Sequence, residues 1–451
     1  MIEKLLLENE GKTLEFKEST KSLTNIIKTI VAFANTSGGK IVIGVEDRTK
    51  KIVGVPNALE EEERLINVIS DSITPFLVPN LEIQNYQDKE LIIIDIPHLA
   101  GPFHIKKDGQ EKGVYVRSGS TNRIADAAML DELHLFARKI SFDEAPCLPI
   151  KNNTLDWEII EILFKNVKKE ITPQRTIDLQ LLVSYAGKET PSNGGVILFG
   201  TNRLQLFPDA IIKCVRFYGL DKSDVIDQLE ITDYPILALE EVLKFVRRNT
   251  KMAAQFGELQ RVDIPEYPPI AVREAITNAI LHADYASKGA SIMIAIFNDR
   301  MEISNPGGLP FGMTMERALG GSSRVRNRVI ARVFKELKLI EQWGSGLQRI
   351  ITSCAQHGLI APKFEDGFID FQVTLYNNKS STEPALNIAD KKLVLFLKDN
   401  KRISTKDAAL LWGITPRSSR DRLKRMVNEG LIERIGNAKN DPNNYYVLCL
   451  R

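Results

Sequence analysis

The polar run Asn377-Asn378-Lys379-Ser380-Ser381-Thr382-Glu383-Pro384 constrains this chain before anything else does. Eight residues without one aliphatic side chain cannot join a core, and Pro384 interrupts any helix. The run therefore reads as an exposed linker. It cuts the 451 residues into a long first part and a short last one. Asn387 to Arg451 holds 14 basic and 7 acidic residues, a net of +7. The whole chain carries only +2, so everything before Asn387 nets −5. A protein coated in basic charge is excluded, and charge suited to nucleic acid sits in the last module.

An apolar share of 43% and a charged share of 26% argue for folded domains rather than a disordered chain. Cys147, Cys214, Cys354 and Cys449 lie far apart among apolar neighbours. With no CxxC pair, a structural zinc site is not expected, and a reducing, cytoplasmic setting is. No apolar run approaches ~18 residues, so no membrane span is expected. Met1 to Lys12 does not have the pattern of a secretory signal.

Periodicity gives a mixed α and β start. Leu14 and Phe16 alternate with Glu15 and Lys17, which predicts a strand. Ile27, Ile30, Val31 and Ala34 recur at helical spacing. Lys40 to Val45, Leu91 to Ile96 and Val114 to Arg117 read as strands. Helices dominate from Asp131 to about Lys251, with strands expected at Gly195 to Phe199 and Ala210 to Phe217. A helix is expected from Ile270 to His282, then strands at Ser291 to Phe297 and Arg300 to Ser304.

The first chemical candidate is a set of carboxylates. Glu15 and Lys17 share one face of a strand because strand side chains alternate. Glu10 lies just before that strand and Asp47 just after a buried one. Three converging carboxylates can hold Mg²⁺ or Mn²⁺, and such a metal activates water at a phosphodiester. A solvated strand face with turn acids would give the same spacing. The stretches Thr13-Leu14-Glu15-Phe16-Lys17-Glu18-Ser19, Ile30 to Gly39 and Ile43-Gly44-Val45-Glu46-Asp47 resemble the AlbA-type domain of the Schlafen superfamily. Tyr115-Val116-Arg117-Ser118-Gly119-Ser120 resembles its closing segment, and the likeness covers roughly residues 3 to 130. The resemblance implies contact with nucleic acid. It also implies Glu10, Glu15 and Asp47 as catalytic metal ligands, and Lys17 beside them, read from its place on the strand, completes the catalytic set by offsetting phosphate charge.

The second candidate is a helix stripe. Glu274, Asn278 and His282 stand at i, i+4 and i+8 and share a face. Such a stripe is either an exposed helix face or a polar wall facing a ligand. Asn305-Pro306-Gly307-Gly308-Leu309 follows an expected strand, and Gly344-Ser345-Gly346 opens an expected helix. Glycines before a helix let backbone N–H groups approach phosphate. This order resembles the GHKL ATP-binding fold, and more closely the GHKL-like domain that follows AlbA-type domains in bacterial proteins. The likeness runs from about Pro268 to Gln372. It implies ATP, with Glu274, Asn278, Asn305, Gly307, Gly344 and Gly346 as nucleotide-side residues and Asn278 as a Mg²⁺ ligand. Asn305 stands where many relatives place an aspartate. Residues 320 to 327 stand where a lid would close.

The third candidate follows the linker. Ser404 caps a short helix that Gly413 stops, and Thr415-Pro416 starts another. Leu431 to Gly436 and Tyr445 to Leu448 read as strands around a wing, Asn437 to Asn444. The order resembles a winged helix-turn-helix. In that class the Thr415 helix enters the major groove. Thr415, Arg417, Ser418 and Ser419 are then candidate base readers, and Arg420, Arg422 and Lys424 candidate phosphate contacts.

The expected fold is therefore an α+β multidomain chain: a Schlafen AlbA-type α/β domain (1–130), a connecting region (131–255), a GHKL-like α/β sandwich (256–376), a linker (377–387) and a winged helix-turn-helix (388–451). The expected function is an ATP-binding regulator of transcription that binds duplex DNA as a homo-oligomer. The alternative is a Schlafen-type endonuclease, dependent on a divalent metal, that cuts RNA (tRNA) or DNA in phage defence. Weak ATPase activity is a further possibility for the GHKL-like part.

Overall fold

The computed structural model describes residues 2–148, 155–256, 261–340, 346–367 and 369–378, and, beyond these, 390, 392–393, 396–397, 400–428, 432–435 and 444–448. The chain divides into two compact units, Met1–Ser380 and Ser381–Arg451.

The first unit begins with a four-stranded sheet. Strands β1 (Leu14–Lys17), β2 (Gly39–Ile43), β3 (Asn80–Tyr86) and β4 (Lys89–Ile96) lie in the order β1-β2-β4-β3. β1 and β2 are parallel, linked by helix α1 (Leu23–Thr36). Strand periodicity explains the continuous apolar run of β2. Ile41 and Ile43 face the core under α1 and helix α2 (Ala58–Ser72), whereas Val42 faces a second cluster with Leu14 and Phe16. β1, β2 and the middle of β4 are buried on both sides, whereas the edge strand β3 is partly exposed. A hairpin, β5 (Tyr115–Ser118) with β6 (Thr121–Ile124), packs on α1, and helix α3 (Ala127–Ala137) follows.

The second sheet has six strands among the described residues. They are β7 (Ile212–Tyr218), β8 (Asp224–Ile231), β9 (Ile292–Ile296), β10 (Arg300–Pro306), β11 (Lys363–Asp366) and β12 (Asp370–Tyr376). Their order is β8-β7-β9-β10-β12-β11, antiparallel except for β7 beside β9. Helix α6 (Pro269–His282) packs against α5 (Pro235–Asn249), α8 (Gly346–Gln356) and β10.

Two expectations change here. Asn193–Phe199 is a helix, α4, and not a strand. Ser192 caps it, its Oγ accepting the Gly195 N–H at 2.9 Å. Gly194 to Phe199 are all buried, and full burial erases the periodicity that separates helix from strand. The expected connecting region also does not stand apart from the sandwich. It supplies β7, in the interior of the sheet, along with β8 and α5, and one core runs from Cys147 to Leu375. Buried Asp143 fastens the two stretches further. Its carboxylate accepts the Arg328 and Ile330 N–H groups, each at 3.0 Å, at the start of α7 (Arg328–Glu336).

The second unit has helices α9 (Thr405–Trp412) and α10 (Pro416–Asn428) and a small sheet of β13 (Ile403–Ser404), β14 (Ile432–Ile435) and β15 (Tyr445–Leu448) in the order β13-β15-β14. Leu393, Leu397, Ala408, Leu423, Met426, Ile432 and Tyr446 form its core. Wing residues 436–443 lie outside the described residues.

Candidate functional site

Among the N-terminal carboxylates, Glu10 has both Asp47 and Glu15 as neighbours. β1 carries Glu15, the segment before it carries Glu10, and the turn after β2 carries Asp47. Glu10 Oε1 accepts the Phe16 N–H at 2.7 Å. Burial pushes the Glu10 carboxyl up to about 7, with neighbouring Asp47 and Glu15 adding to the rise and the Phe16 N–H opposing it. Glu15 is buried and has both oxygens engaged, Oε1 by Lys17 and Oε2 by the guanidinium of Arg117. Arg117 is only 1% exposed. Its Nε donates to Gly11 O at 3.0 Å, its Nη1 to Asn122 Oδ1 at 2.9 Å, and its guanidinium lies 5.2 Å from the Phe33 ring centroid.

This arrangement does not fit a divalent cation as it stands. Two cationic side chains already neutralise Glu15. Among the described residues no group of three or more His, Cys, Asp or Glu side chains is placed to hold a metal ion.

The second site is a cavity of about 120 Å³ between α6, β10 and the N-terminus of α8. Glu274, Asn278 and His282 all line it, so the stripe read from the sequence is one wall. Gly346 stands directly against this wall. A Cβ there would come within 2.5 Å of Glu274 Oε1 and 2.9 Å of Asn278 Nδ2, so the ends of both side chains would have to shift to admit one. Glu274 also pairs with Arg349 at 3.1 Å. Burial, and then the charge of Arg326, hold the His282 imidazole down to about 4, neutral at physiological pH. Asn305 is buried and donates from Nδ2 to its own turn, at 3.0 Å to Pro306 O and 3.2 Å to Gly307 O. The residues suit a nucleotide. The volume is below the ~300 Å³ of ordinary ligand pockets, so the cavity must open to take one.

In the second unit, Thr415 Oγ1 accepts the Ser418 N–H at 3.3 Å at the start of α10. Thr415, Arg417, Ser418, Arg420 and Lys424 are exposed, while Ser419, Leu423 and Met426 face inward.

Three family models match separate stretches. One, "Schlafen, AlbA_2", spans residues 10–126. A second, "Putative ATP-dependent DNA helicase recG C-terminal", spans 289–375, and "Winged helix-turn-helix DNA-binding" spans 386–433. The chain joins a Schlafen AlbA-type domain, a GHKL-like ATPase domain and a winged helix. It is 24% identical over 152 residues to an uncharacterized ATP-binding protein of Ureaplasma parvum serovar 3. That match takes in 31% of this chain and 42% of the relative's length. Among solved structures, the DIP2311 protein of Corynebacterium diphtheriae aligns over 99% of this chain and 96% of its own, at 18% identity and TM-score 0.44. The N-terminal domain of a RecG-related protein of Nitrosomonas europaea aligns over 28% of this chain and 92% of its own, at 21% identity and TM-score 0.23.

The ATPase-like domain implies nucleotide binding, and the winged helix implies binding of nucleic acid. In the AlbA-type domain Glu10 neighbours Asp47 and Glu15, and Glu15 pairs with Lys17. In the ATPase-like domain Glu274, Asn278, Asn305 and Gly346 line one cavity, and Gly344 lies outside the described residues. Gly307 does not line that cavity. It turns toward a larger cleft beside Asp284 and Arg326, and Gly308 takes its place.

In the winged helix, Ser419 is no base reader. It is fully buried, and its Oγ donates to Thr405 O at 3.1 Å, tying α10 to α9. Arg422 is half-buried. It pairs with Asp390 at 3.2 Å and lies 5.1 Å from the Trp412 ring centroid, so its charge is largely spent inside the domain.

Sequence reasoning missed Arg117 and Arg349, the two cations that answer Glu15 and Glu274. Arg117 did leave a signal, being an arginine closing the apolar strand Val114-Tyr115-Val116.

Proposed function

We propose that this protein is a DNA-binding transcriptional regulator whose state is set by ATP. The exposed face of α10 carries the reading. A helix capped at Thr415 offers Thr415, Arg417 and Ser418 at its N-terminus and Arg420 and Lys424 further along. That is the geometry by which a recognition helix puts its first residues on base edges and its later ones near phosphate. The pairing of Glu15 with Lys17 and Arg117 supports the regulator over a metal-dependent nuclease.

In the nucleotide site, Asn278 and Glu274 would face the phosphates, where Mg²⁺ would accompany the nucleotide and screen its charge. Asn305 would accept from the base, and Gly346 leaves room for α8 beside the ligand. The Ureaplasma relative named as ATP-binding is consistent with this assignment.

The test is selection of duplexes from a random pool, followed by fluorescence anisotropy at several salt concentrations. Arg417→Ala is expected to cost about 1–3 kcal/mol on the selected site and to relax preference at one base. Lys424→Ala is expected to weaken all duplexes alike and to lower the salt slope by about 1. Asn278→Ala is expected to abolish nucleotide binding. Should Mn²⁺-dependent cutting of tRNA or duplex appear and vanish in Glu15→Ala, the nuclease reading replaces this one.

A further inference from the structure

Segment 307–325 roofs the nucleotide cavity, and its other side docks on the AlbA-type domain. Leu309, Pro310, Arg324 and Val325 line both the small cavity and a cleft of about 1320 Å³ that the two domains share. A cavity of about 120 Å³ admits a nucleotide only if some of its wall moves, and this segment contributes most of the described wall that is neither regular strand nor long helix.

The docking contacts lead to the carboxylates by two routes. In the first, the Gly312 N–H donates to Thr36 O at 2.5 Å, and the Arg117 N–H donates to Thr36 Oγ1 at 2.8 Å. The Arg117 guanidinium then holds Glu15. In the second, the Leu309 N–H donates to Asp366 Oδ1 at 2.7 Å, and Asp366 Oδ2 pairs with Lys12 at 2.8 Å. Lys12 lies two residues from Glu10 and adjoins Gly11, whose carbonyl takes Arg117 Nε. Arg324 fastens the far end of the roof. Its guanidinium lies 4.2 Å from the Phe136 ring centroid, and Phe136 stacks on His98 at 5.1 Å. Gly312 sits at φ +84°, and a Cβ there would run into Arg324 Nη1 and the His98 ring, so the roof has no slack at this point.

We infer that the roof couples the two sites: nucleotide displaces it, and Thr36 and Asp366 pass that movement to the Arg117–Glu15 pair and so set how tightly the carboxylates are masked. The trigger rests on the nucleotide reading above, whereas the mechanical tie does not.

The experiment is amide hydrogen exchange on the full chain, with and without a non-hydrolysable ATP analogue, beside calorimetric titration of that analogue. In the wild type the analogue is expected to change exchange in peptides covering 9–17 and 114–122 as well as around the cavity. Gly312→Ala, without nucleotide, is expected to speed exchange in those N-terminal peptides roughly tenfold. Lys12→Met, remote from the cavity and partly exposed, is expected to shift analogue affinity several-fold, because coupling is reciprocal. Analogue that binds while exchange changes stay within 268–376, together with unchanged affinity in Lys12→Met, would overturn the inference. If no analogue binds, the nucleotide reading fails, and N-terminal exchange in Gly312→Ala alone decides the tie. If Gly312→Ala does not fold, Thr36→Val is read instead at peptides of the roof, where unchanged exchange counts against the tie.

Discussion

Arg117 and Glu15 form the most buried ion pair in the AlbA-type part, and the geometry explains how it survives there. The guanidinium has carbonyl, amide and carboxylate partners and an aromatic face, so little of its charge is left undressed. Arg117→Met should therefore be severe, at about 3–5 kcal/mol by urea unfolding, because it strands Glu15 with Lys17 alone. The double variant with Glu15→Gln should cost less than the sum of the two single changes. Glu10 behaves in the opposite sense. Its folded carboxyl titrates at about 7 against 4.5 in the unfolded chain, so the folded state holds a proton that the unfolded state has released. Stability from this group is complete below pH 4.5 and is lost as pH rises to about 7. Glu10→Gln should raise the melting temperature at pH 8 and leave it nearly unchanged at pH 4.5, as read by calorimetry.

At the scale of elements, α9 ends on Gly413 with φ +65°, and a methyl group on its Cα would meet nothing within 4 Å. Gly413→Ala thus tests backbone conformation alone and should cost about 1 kcal/mol in the unfolding of the second unit. The docked roof has a pH limit of its own. His98 is held down to about 4, by burial first and then by Arg324 and Arg317, against 6.5 when unfolded. Here the unfolded state binds the extra proton, so stability falls as pH drops from 6.5 toward 4. His98→Gln should flatten the urea midpoint across that window.

At the scale of the molecule, the sheet decides what can be separated. β7 lies between β8 and β9, and Asp143 caps α7 from outside the expected sandwich boundary. A fragment of residues 256–376 would expose the edge of β9 and half of a core. It should show no cooperative melt by circular dichroism, whereas residues 1–380 should melt as a folded unit. The winged helix is a separate unit with its own core, in keeping with the charge break at the linker.

Local chemistry alone determined much of this protein. The cap at Ser404, the stop at Gly413, the start at Thr415 and the alternating strands near the N-terminus are all set by residues within a few positions of each other, whereas linker residues 379–387 lie outside the described residues. The stripe Glu274-Asn278-His282 was legible for the same reason, since short spacing on a regular element fixes a shared face. The nearness of Glu10 to Glu15 and Asp47 was implied only by the family resemblance, because the three stand on different segments. Where the partner is distant in the chain, the residues did not name it. Arg117 reaches Glu15 across 102 positions, and Asp366 reaches Lys12 across 354. Ser419 turns inward only because α9 packs against it. The helix Asn193–Phe199 was illegible because burial of Gly194 to Phe199 leaves no polar face for sequence periodicity to show. Spacing could nominate the sites, but only the packing of remote segments decided which charges are masked and what holds the roof of the cavity.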